Sequence, residues 1–177
     1  MPMIVDDEIP VTEENIKRAR LLIGAAFWVS KMDPQGGYNA SVEERKAITE
    51  TLRRFMGEKD YREISPVFDA ALENYKAWDS WTKDLSNFRY ELQTILADVP
   101  LSYRQSVYDL AYCVAIRYRE RNFILATLAS IHVSLKNFLA PDPHRIDLPD
   151  YLNISPTEKS ALNELAEILN LPQRIIV

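Results

Sequence analysis

Asp33 and Glu44 stand eleven residues apart, at the two ends of the stretch DPQGGYNASVEE. An acid at each end of a twelve-residue loop is the spacing with which a calcium loop supplies its first and last carboxylates. With Asp33 as the first position, Gln35 is third, Gly37 fifth, Asn39 seventh and Ser41 ninth. The sixth position, where such loops use glycine for a sharp turn, is Tyr38, and neither the third nor the fifth is acidic. Hard cations take about six to eight oxygens. Asp33, Glu43 and Glu44 therefore define a candidate site for calcium or another divalent ion that would bind it only weakly. The same residues also have a plainer reading. Asp33 before Pro34 stops a helix, because the residue before proline is pushed out of the α region. Ser41, three residues before Glu44, has the spacing of a capping box.

Helices must position these acids. Residues 21–29 (LLIGAAFWV) are apolar all round a helical wheel, which predicts a helix covered on several sides. Thr12 offers a cap and Glu13 and Glu14 suit the first turn, so the helix is expected over 12–32. After the loop, Ala47, Ile48, Leu52 and Phe55 share one face of a second helix, expected over 42–57 and stopped by Gly57. Ser65-Pro66 reads as cap and first helical residue. Phe68, Ala71, Leu72, Tyr75 and Trp78 recur at helical spacing, and Trp81, Leu85, Phe88, Leu92 and Ile95 continue the stripe. Two helices with a break near Asp79-Ser80 are expected there. Ser102 with Gln105 reads as a second capping box, leading Tyr103, Val107, Leu110, Val114 and Tyr118. A further stripe runs from Ile124 to Phe138, and residues 140–154, with three prolines, read as a loop. Ser155-Pro156-Thr157-Glu158 is a third box, followed by Leu162, Leu165, Ala166 and Leu169, with Leu171, Ile175 and Ile176 packing back. The expectation is an all-α, single-domain bundle of about seven helices over 12–177, with a flexible acidic stretch at 1–11.

Composition narrows the function classes. The 177 residues carry a net charge of −5, with Lys and Arg scattered among acids, which argues against a nucleic-acid partner. Cys113 is the single cysteine, so no internal disulfide forms, as befits a reducing compartment. No apolar run is long enough for a membrane span, and residues 1–15 have no apolar core of a signal peptide, so a cytoplasmic location is expected. Catalytic patterns are missing. There is no Glu-x-x-His pair, phosphate loop or Gly-x-Ser-x-Gly elbow, so no enzyme is expected. His132 reads as a helix residue, His144 as a loop residue and Cys113 as a buried thiol. Tyr61-Arg62 and the run RYRER at 117–121 could grip an anion but read first as solvated helix ends.

The string SVEERKAITE at 41–50 matches SPTEKSALNE at 155–164 in Ser, Glu, a basic residue, Ala, an Ile/Leu position and Glu. This gives a faint helix–loop–helix repeat. Its counterpart acids in the second copy are Asp150 and Glu158, with Asp142 and Asp147 as alternatives to Asp150. The residues AAFWVSKMD followed by SVEERKAI, and ISPTEKSALNELAEILNLP at 154–172, resemble the TerB-like family, named for tellurite resistance protein B. The first loop is longer than the family pattern by several residues, and the second copy lacks an acid directly at a helix end. The resemblance implies an all-helical domain with acid-lined loops at Asp33, Glu43 and Glu44 and at Asp150 and Glu158. It implies a role in tellurite resistance or stress response, through protein partners near the membrane and without catalysis. The alternative is a metal-free helical interaction module. Its basis is the density of aromatics at Tyr75, Trp78, Trp81, Phe88 and Tyr90. The oligomeric state is open, a homodimer included.

Overall fold

A computed structural model describes residues 11–32, 38–117 and 154–176, which form seven α-helices and no strand. They are α1 (Glu13–Ser30), α2 (Tyr38–Met56), α3 (Ser65–Glu73), α4 (Trp78–Trp81), α5 (Phe88–Ile95), α6 (Leu101–Arg117) and α7 (Pro156–Ile168). Among the described residues no helix is long and apolar enough to cross a membrane.

The uniformly apolar run of α1 is the reason for the architecture. Every residue from 21 to 29 is buried, so α1 must be covered on all sides, and each of the other six helices touches it. Gly24 lets α5 come close: a Cβ there would sit 3.2 Å from the Phe88 ring. Phe88 in turn packs tilted against Trp28, with ring centroids 5.7 Å apart. The inward faces expected of α2, α6 and α7 are buried: Ala47, Ile48, Leu52 and Phe55; Tyr103, Val107, Leu110 and Val114; Leu162, Leu165, Ala166 and Leu169. Each of the Leu, Ile, Val and Phe side chains contributes about 1.5–3 kcal/mol by leaving water.

Helix ends divide into those the sequence predicts and those it does not. Thr12 caps α1 by accepting the Asn15 amide at 3.2 Å. Ser155 closes a two-armed box with Glu158. The other two boxes do not form as expected. α2 begins at Tyr38, so Ser41 lies inside its first turn rather than at the cap. α6 begins at Leu101, directly after Pro100, and the Ser102 hydroxyl instead donates to Glu63 at 3.4 Å. Pro100 already occupies the cap position, leaving the serine two positions too late.

The stripe from Phe68 to Ile95 is also more broken than expected. The chain leaves the α conformation at Asn74, passes through a 3₁₀ turn at Tyr75–Ala77, and re-forms one turn as α4. Residues 79 and 80, where a break was expected, lie within α4. Leu85 lies outside any helix. Side chains take over backbone partners here. Asn74 donates to the Ala70 carbonyl at 2.8 Å, Trp78 Nε1 to the Ala71 carbonyl at 2.8 Å, and Asp84 accepts the Ser86 amide at 2.9 Å. Such local bonds offer the chain an alternative to the helix. Arg45 locks this corner to α2: its guanidinium stacks 4.3 Å from the Tyr75 ring and bonds Asp79 at 2.5 Å.

After α7 the chain reverses at Asn170, whose φ of 54° is left-handed. The Leu171 amide bonds Ala166 O at 2.8 Å and the Asn170 amide bonds Glu167 O at 3.0 Å, a Schellman closure. Leu171 is buried and Ile176 packs on the core, as expected, while Ile175 stays exposed.

Candidate functional site

The sequence singled out five acids. Asp33 and Asp150 lie outside the described residues, as do His132, His144 and residues 118–121. Glu43 is exposed on α2. Glu44 and Glu158 are different: they come from the two matching strings, on α2 and α7, and they lie near enough for the Glu158 charge to act on Glu44. The end of α1 lies near Glu44: Ser30 and the positive charge of Lys31 both favour its ionised form, while the Ser30 hydroxyl donates to the Phe27 carbonyl at 3.2 Å. The Lys31 ammonium also donates to the Thr82 carbonyl at 2.6 Å.

Burial is the largest influence on Glu44, and it holds the carboxyl above its usual range. Ser30 and Lys31 pull it down, and the like charge of Glu158 pushes it up again. Glu158 is almost fully enclosed and works as a cap: its Oε2 accepts the Ser155 amide at 3.0 Å and the Ser155 hydroxyl at 2.8 Å, while its own amide donates to Ser155 Oγ at 3.2 Å. Two carboxylates by themselves fall short of the shell a divalent cation takes. Among the described residues no three His, Cys, Asp or Glu side chains gather closely enough to hold a metal.

A second polar cluster was not expected from the sequence. Asp109 of α6 is half-buried. It accepts the Tyr61 hydroxyl at 2.5 Å and pairs with Arg174 at 3.0 Å. Burial pushes the Asp109 carboxyl up, while Arg174, Tyr61 and Arg54 pull it down. Tyr61, read first as part of a solvated helix end, is instead buried and donates to this internal carboxylate, while Arg62 is exposed. Nearby, Arg54 approaches Cys113 Sγ at 3.5 Å and Glu58 at 3.7 Å. Burial raises the Cys113 thiol to about 11, so it stays protonated at neutral pH and is a poor nucleophile. The pairing of Asp109 with residues 48 and 65 positions away had no local signal in the sequence.

Of the aromatics that suggested an interaction module, Trp78 and Phe88 are buried and Trp81 is half-buried, whereas Tyr75 and Tyr90 are exposed. Searches against protein-family models, curated proteins and solved structures find no match to this chain.

Proposed function

We propose that this chain is a non-enzymatic, TerB-like helical binding domain acting in tellurite resistance or stress response through protein partners. In this reading the shared end of α1, α2 and α7 is a low-affinity divalent cation site. What supports it is that the charge of Glu158 reaches Glu44, the corresponding acid of the other matching string, near the end of α1. A cation there would relieve their mutual repulsion and the cost of burying the Glu44 charge. Calorimetric titration with calcium, magnesium, manganese and zinc tests it. Saturable heat from one of these ions, lost in Glu44→Gln and in Asp33→Ala, is the expected result. Flat and identical traces for all three proteins would remove the site.

The alternative, a metal-free interaction module, is favoured by one observation. Glu158 Oε2 is already engaged twice by Ser155, and Lys31 supplies Glu44 with a positive neighbour. Both acids thus have structural work without a metal. Size-exclusion chromatography discriminates: self-association unchanged by chelator supports this alternative, and a strict monomer counts against a homodimer.

A further inference from the structure

We draw no further inference here: the strongest candidate, the side-chain cluster in which Asp109 of α6 meets Tyr61 and Arg174, with Arg54, Glu58 and Cys113 beside it, pairs its charged groups with one another, and its lone cysteine has no second group that points to a ligand.

Discussion

Glu44 and Glu158 occupy the same place in two matching strings, yet the fold uses them differently. Glu158 spends its carboxylate on the Ser155 cap, while Glu44 sits within α2 and meets the end of α1. The pH response of Glu44 follows from its surroundings. Its native carboxyl holds a proton to higher pH than the ordinary value of 4.5, with burial as the main cause. Between that value and the raised one, the native state binds more protons than the unfolded chain. Stability therefore falls as pH rises through this window. The contribution is fully present below 4.5 and is lost as pH passes the native value. Glu44→Gln has no charge to bury. Its stability relative to wild type should rise from pH 4 to pH 8, measured by urea unfolding at both ends. Parallel profiles would mean that Ser30 and Lys31 fully compensate the buried charge.

At the scale of elements, the close crossing of α1 and α5 depends on the missing side chain of Gly24. An added Cβ would lie 3.2 Å from two atoms of the Phe88 ring, and that ring is itself buried against Trp28. Alanine gains up to about 1 kcal/mol of helix propensity over glycine. Forcing a methyl group into a packed core costs about 1–3 kcal/mol. With Phe88 unable to retreat, the second effect wins. Gly24→Ala should lower stability by about 1 kcal/mol while leaving helical content unchanged, a pair of results that thermal unfolding followed by circular dichroism reads together. A stabilised variant would show that α5 can slide. Elements were legible where one local cause decided them. The apolar run of α1, the Thr12 cap and the Ser155 box could be read directly. Ser41 and Ser102 misled because each helix starts earlier than its serine, at Tyr38 and after Pro100. The Trp78 region misled because an indole and an asparagine capture the carbonyls that a continuous helix would use. Of the site, the sequence paired Glu44 with Asp33 and Glu158 with Asp150, both aspartates lying outside the described residues, and it held no sign that the Glu158 charge would act on Glu44. The Asp109 cluster was invisible, since it joins three parts of the chain far apart in sequence.

At the scale of the whole molecule, α1 makes the described helices one cooperative unit. Because each of the six others packs on it, no subset keeps a core once α1 is lost. Leu22 lies in that helix with no exposure, and Trp28 and Trp78, both buried, report on its neighbourhood and on the α3–α4 corner. Leu22→Ala deletes buried methyl groups from the centre of this arrangement. The loss combines transfer and cavity terms, about 2–5 kcal/mol. Its cooperativity separates a shared core from a string of local contacts. With a shared core, the urea midpoint drops, the slope with denaturant stays at the wild-type value, and far-UV circular dichroism and tryptophan fluorescence trace one curve. Under a modular arrangement the two probes would part, with the Trp78 corner surviving after helix content had fallen. Coincident curves are expected, because the indole of Trp78 is fully enclosed in the same continuous cluster that contains Leu22.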